Sequence, residues 1–233
     1  MSLPTLNTPT YNLTVPSTKQ RIKYRPFVVK EEKVLLMALE SENDQEIADA
    51  LKSIIVACVT TKDFDFEKLA TFDIEYIFLN IRGKSVGEVV DLIVTCPDDG
   101  VTEVKVSINI DTVKVKFDKE HTNKIAIDDK LWVEMKYPGL DSFTDSQEDI
   151  DDTFKFVANS IGKIYNEEDV WDSTTTTPDE FVTFLESMSS KQFNSVQKFF
   201  ETMPSLKHEV KFTNPNTKVE STYTVEGLAN FFG

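Results

Sequence analysis

The chain has 233 residues, enough for one large domain or two small ones. Forty per cent hydrophobic residues and 17 Phe supply a core and exclude a disordered chain, while two Cys exclude a disulfide framework and a four-cysteine zinc site. The net charge of −15 is uneven: residues 1–30 hold five cations and no acid, leaving 20 cations against 40 acids, or −20, elsewhere, a balance that argues against binding nucleic acid.

Residues 1–18 carry Pro4, Pro9 and Pro16 among Thr and Asn. They read as part of an extended arm, in which Thr10 to Val15 can pair as a strand once a partner is present. No signal peptide is read at the start, and no apolar run nears the roughly 20 residues of a membrane span. The expected setting is a reducing cytoplasm with no membrane contact.

Lys19, Arg21, Lys23 and Arg25 occupy every second position, so an extended strand places all four on one face. That face reads either as an edge blunted by charge or as a tether for an acidic partner surface. Pro26 turns the chain into a helix from about Val29 to Glu40. Its run Val34-Leu35-Leu36-Met37-Ala38-Leu39 has almost no polar side and predicts burial. Asn43 with Glu46 forms a capping box for the next helix, whose apolar stripe is Ile47, Leu51, Ile54, Ile55 and Cys58. Asp65 caps a third helix running from Phe66 through Ile81. Arg82-Gly83-Lys84-Ser85 stops it, with Gly83 left-handed. This tetrapeptide is not a phosphate loop, because Ile77 stands where the Walker pattern needs its first Gly.

From Val89 the hydrophobic period changes to two. Val89 to Thr95 and Thr102 to Ile110 flank the turn Pro97-Asp98-Asp99-Gly100 and read as a hairpin. Val113 to Phe117 is a further strand, and Asn123 to Ile127 pairs with Leu131 to Tyr137 about Asp128-Asp129. Ser146 and Asp149 cap a helix holding Ile150, Phe154, Val157, Ile161 and Ile164. Thr177-Pro178-Asp179-Glu180 opens another, and Ser190 begins the next, which ends near Pro204. The chain closes with a hairpin, His208 to Thr213 and Val219 to Val225, and a short helix through Phe231 and Phe232. The fold class is α+β: a helical body with an inserted small antiparallel β-unit and a C-terminal β-hairpin. The expected parts are an extended N-terminal arm (1–25), a helical region (26–88), an antiparallel insert (89–137) and a C-terminal helical region with its hairpin and short helix (138–233).

Chemistry-bearing patterns are sparse. His121 and His208 show no metal spacing. Cys96-Pro97-Asp98-Asp99-Gly100 matches the knuckle pattern Cys-Pro-x-Cys-Gly at one Cys of two, and Asn214-Pro215-Asn216-Thr217 has similar placement with none. Metal binding is therefore not expected. Asp141, Asp145, Glu148, Asp149, Asp151 and Asp152 crowd a helix start, where negative charge is favourable, and lack the spacing of a calcium loop. No catalytic or cofactor-binding residue is singled out, and no cofactor is expected.

Three stretches carry a resemblance. Tyr24 to Ser41 (YRPFVVKEEKVLLMALES), Glu75 to Glu88 (EYIFLNIRGKSVGE) and Phe199 to Gly233 (beginning FFETMPSLKHEVKF and ending GLANFFG) together resemble a baseplate protein family of T4-like bacteriophages. That family is the baseplate hub or hub-assembly protein. The resemblance implies a non-enzymatic tail protein that works through protein–protein contacts with other phage baseplate or hub proteins. It would act in the host cytoplasm, either as an assembly chaperone or as a hub component kept in the virion tail baseplate. Oligomeric state stays open. The expected interface residues are Arg21, Lys23, Arg25, Lys30, Arg82 and Lys84. The alternative is a metal-dependent small hydrolase using the acidic residues, which a bound metal would distinguish.

Overall fold

The computed structural model describes residues 6–140 and 150–227. The predicted cap at Ser146 and Asp149, most of the acidic run and the closing helix at Phe231 and Phe232 lie outside the described residues. The chain forms two compact units, residues 1–116 with 205–233, and residues 117–204.

In the first unit, β1 (Tyr11–Thr14) and β2 (Arg21–Tyr24) pair antiparallel, with Leu13 opposite Ile22. The predicted extended arm is thus a hairpin closed on its own chain. Two bonds shape its turn: Val15 N–H donates to Gln20 O, and Lys19 N–H to Val15 O. Val15, Ile22 and Tyr24 are buried, which gives the hairpin a hydrophobic reason to fold back without a partner. Helices α1 (Val29–Ser41) and α2 (Asp44–Cys58) follow and pack on one another. Asn43 caps α2, its side chain accepting from Glu46 N–H at 3.1 Å, while its own N–H donates to Ser41 Oγ at 3.3 Å, so half of the predicted capping box forms.

The buried helix of this unit is α3 (Thr71–Val86), preceded by a separate 3-10 turn at Phe66–Lys68. Asp65 caps only that short turn, because Leu69 and Ala70 are extended. Ile74, Ile77, Phe78 and Ile81 form one fully buried stripe of α3, and Leu79, Phe72, Glu75 and Tyr76 on its other sides are buried too. Its first turn also buries Asp73, whose carboxylate accepts from Ala70 N–H, Ser17 N–H and the Ser17 hydroxyl. One acid thereby satisfies helix donors and fastens the hairpin turn, and buried polar groups are stable only when paired in this way.

Gly83 does not stop α3; it lies inside the helix, which runs to Val86 with Gly87 as its cap. A Cβ at Gly83 would stand 3.2 Å from Ile110 Cγ2, so glycine here serves close packing and not a left-handed turn. Ser85 Oγ donates to Ile81 O and accepts from Phe27 N–H, tying the helix end to the link before α1.

The first unit also holds the hairpin of β3 (Val89–Thr95) and β4 (Glu103–Asn109), in the predicted place. Strand β5 (Lys114–Lys116) pairs with β10 (Ser205–Thr213), which pairs with β11 (Glu220–Glu226), so the C-terminal hairpin forms as read and gains a third strand.

The second unit contains an antiparallel sheet in the order β6 (Lys124–Ala126), β7 (Trp132–Met135), β8 (Ile161–Tyr165), β9 (Val170–Asp172). Residues 89–137, read as one insert, are therefore shared among three sheets in two units. Helices α4 (Ile150–Asn159), α5 (Pro178–Glu186) and α6 (Ser190–Glu201) complete it. The predicted helix containing Ile161 and Ile164 ends before them. Ser160 folds its hydroxyl onto Phe156 O and its N–H onto Phe156 O and Val157 O, and the chain then enters β8. Val157, Ile161 and Ile164 still reach one core with Val133, Phe181 and Phe199.

Candidate docking surface

Arg21 and Lys23 project from the exposed side of β2, while Ile22 and Tyr24 are buried beneath. Alternation thus places two of the four predicted cations on one face, whereas Lys19 lies in the turn with φ 60° and Arg25 follows the strand. Lys30, on the first turn of α1, is also exposed. Among the described residues, none of these three makes an ion pair.

The other expected interface residues sit in joints of the fold. Arg25 donates from Nη2 to Glu31 Oε1 at 2.9 Å and from Nη1 to Pro26 O at 2.9 Å. Glu31 Oε2 accepts from Val28 N–H, closing the start of α1. Burial pushes the Glu31 carboxyl up, but the Arg25 guanidinium and the Val28 N–H outweigh it and hold the carboxyl below its ordinary range. Lys84 Nζ pairs with Glu88 and with Asp111 and lies over the Tyr11 ring at 5.6 Å. It connects α3, the 3-10 turn Ile110–Thr112 and β1. Arg82 is half-buried, and burial pushes its guanidinium below its ordinary value. The tetrapeptide from Arg82 to Ser85 is thus a packing joint, with Gly83 on Ile110 and Ser85 on Phe27.

Helix α1 departs most from its sequence reading. Only Leu35 and Ala38 are buried; Val29 is 79% exposed, Leu36 54% and Met37 59%. The physical reason is geometric. Six consecutive apolar residues surround a helix, whereas α2, the main neighbour of α1 among the described residues, covers a single seam. On a 3.6-residue period Val29, Lys33, Leu36, Met37 and Glu40 share the side opposite Leu35 and Ala38. This outer apolar face was missed from sequence. The signal that marks it is the pair Lys33 and Glu40, charged residues in register with Leu36 and Met37.

Among the described residues, no other cluster assembles a reactive site. His121 is held between Thr202 Oγ1 at 2.9 Å and the Tyr137 hydroxyl at 3.0 Å, and it stacks on Tyr137. Burial lowers its pKa below the ordinary value. His208 faces Val225 across the C-terminal hairpin. Among the described residues, no group of three or more His, Cys, Asp or Glu is placed to hold a metal ion. Among them too, no helix is long and apolar enough to cross a membrane.

Comparison with curated proteins and with solved structures gives no significant match. The profile of the family described as T4 bacteriophage base plate protein matches residues 8–233. That span is nearly the whole chain and takes in the basic strand, α1 and both units, and so the chain belongs to the T4 bacteriophage base plate protein family.

Proposed function

We propose that this protein acts in assembling the central hub of the baseplate, as a non-enzymatic factor that docks on another baseplate protein. The observation that carries the reading is the outer face of α1, where Val29, Leu36 and Met37 stand exposed on a helix whose other side is packed. Exposed apolar residues grouped on one helix face fit a helix-in-groove contact. The partner surface fitting this chemistry is an apolar cleft with acidic groups nearby, since Arg21, Lys23 and Lys30 precede or begin α1. Such charges raise the encounter rate and set orientation, while apolar burial supplies affinity.

The protein works in the host cytoplasm during tail assembly, either remaining as a hub component or leaving as a chaperone. Quantitative mass spectrometry of purified particles against infected-cell lysate distinguishes these forms. Stoichiometric presence in particles makes it a component; abundance in lysate alone makes it a transient factor. Docking itself is tested by changing Arg21, Lys23 and Lys30 to Glu together. Undiminished recruitment to baseplate assemblies at low salt would remove the electrostatic part of the proposal.

A further inference from the structure

The tips of two hairpins in the first unit meet. One is Cys96-Pro97-Asp98-Asp99-Gly100, between β3 and β4; the other is Asn214-Pro215-Asn216-Thr217-Lys218, between β10 and β11. Their backbones share the same closing bond. In the first, Gly100 N–H donates to Cys96 O at 2.9 Å and Gly100 has φ +69°. In the second, Lys218 N–H donates to Asn214 O at 3.0 Å and Lys218 has φ 65°. The initial residue of each turn is also bonded across it, Cys96 N–H to Thr102 O and Asn214 N–H to Val219 O.

By their register in the turns, residues 96 and 99 of one and 214 and 217 of the other correspond to the positions at which paired knuckles present thiolates. In knuckle turns those thiolates accept backbone N–H bonds. Here oxygen atoms do so. Asn214 Oδ1 accepts from Asn216 N–H at 2.8 Å and Thr217 N–H at 3.3 Å. Asp99 Oδ1 accepts from Val101 N–H and Thr102 N–H, and Thr217 Oγ1 accepts from Val219 N–H.

With its oxygen so engaged, the Asn214 amide nitrogen is fixed toward the other turn. It lies 3.1 Å from both Asp98 oxygens and 2.9 Å from Asp99 Oδ2. Thr217 Oγ1 donates to Asp98 Oδ2, and Asn216 Nδ2 donates to Thr102 Oγ1 at 3.0 Å. Asn214 and Cys96 are fully buried. A metal needs electron-pair donors at its centre, whereas this centre holds a proton-donating amide aimed at two carboxylates.

We propose that the two turns form a metal-free knuckle pair, in which the Asn214 amide and the Thr217 hydroxyl clasp Asp98 and Asp99 in place of a tetrahedral cation. The clasp fastens the β3–β4 hairpin to the C-terminal hairpin across more than 100 residues of sequence, as a structural zinc does between two ribbons.

The proposal has two consequences, both measured on the full chain. First, Asp99→Cys, Asn214→Cys and Thr217→Cys combined with the native Cys96 will create a tetrathiolate site. Titrated with Co²⁺ alone under reducing conditions, this variant will bind one equivalent with the visible bands of tetrahedral thiolate cobalt, and Zn²⁺ will displace it. Adding Cys96→Ser will weaken that binding at least about tenfold, since one of four thiolates is lost. A variant that needs the ion to fold supports the proposal, whereas a folded variant without tetrahedral bands overturns it. Second, Asn214→Ala in the native sequence will speed amide exchange at Cys96 and Thr102 at least about tenfold, an amount corresponding to loss of about 1.4 kcal/mol of local protection. Unchanged exchange would overturn the clasp even if the triple variant fails to fold.

Discussion

Replacing Leu36 and Met37 together by Ser strips apolar surface from the outer face of α1 while leaving its packed seam untouched. Leu36 is 54% exposed and Met37 59%, so roughly half of each side chain is left for a partner to cover. Full burial of such a side chain is worth about 1.5–3 kcal/mol, and covering the remaining half contributes about 1 kcal/mol each. The pair then supplies about 2 kcal/mol, or roughly 30-fold in affinity. Fold stability should fall by about 2 kcal/mol, because the half of each side chain already covered within the fold is lost by the same reckoning, with a smaller loss from the poorer helix propensity of Ser. The assay is sedimentation of lysates from cells infected with phage lacking this gene and supplied with either form. The double variant should still unfold cooperatively, with its midpoint lowered by about 4–8 °C. The fraction travelling with baseplate assemblies should drop steeply at limiting expression. A folded variant that co-sediments like the native chain would refute the assignment of this face as the docking surface.

Other outcomes follow from the interior. Gly83→Val puts a branched side chain where even a Cβ meets Ile110 at 3.2 Å, and should cost about 1–3 kcal/mol in urea unfolding. Adding Ile110→Ala should make the double loss smaller than the sum of the single losses; strict additivity would deny the contact. Asp73 carries a pH signature. Burial pushes its carboxyl above the ordinary 3.8, and the Ser17 and Ala70 bonds offset this only in part. The folded state therefore holds this proton to higher pH than the unfolded state. Its contribution is full below 3.8 and is lost as pH rises through the folded value. Asp73→Asn should accordingly gain stability relative to the native chain as pH rises from 3.8 through the folded value, and a constant difference in urea midpoint would contradict the sign. Burial raises the thiol pKa of both cysteines, that of Cys58 to about 11. A thiol-exchange reagent should label neither in the native state and both in denaturant; rapid native labelling would contradict their burial.

Much of the fold was legible from caps and turns. Asn43, the Thr177-Pro178-Asp179-Glu180 start and the Pro97 to Gly100 turn each fix local geometry with their own side chains or backbone, so they act alike in any context. What was not legible depended on distant partners. Gly83 reads as a stop signal until Ile110 is known to lie against it. Ile161 and Ile164 keep a helical spacing from Val157, yet β7 and β9 on either side of β8 draw them into a sheet. The burial of α3 and exposure of α1 depend on which elements surround each helix, and both helices are rich in apolar residues. For the docking surface, strand alternation placed Arg21 and Lys23 outward. The roles of Arg25 and Lys84 were hidden because Glu31, Glu88 and Asp111 neutralise them only once the chain is folded.

The most direct measurement is electron microscopy of lysates from infections in which this gene is inactivated, with and without the native chain supplied in trans. The account predicts that complete baseplates are missing, that heads still form, and that the native chain restores baseplates. Complete baseplates at the usual number in its absence would contradict the claim that this protein acts in their assembly.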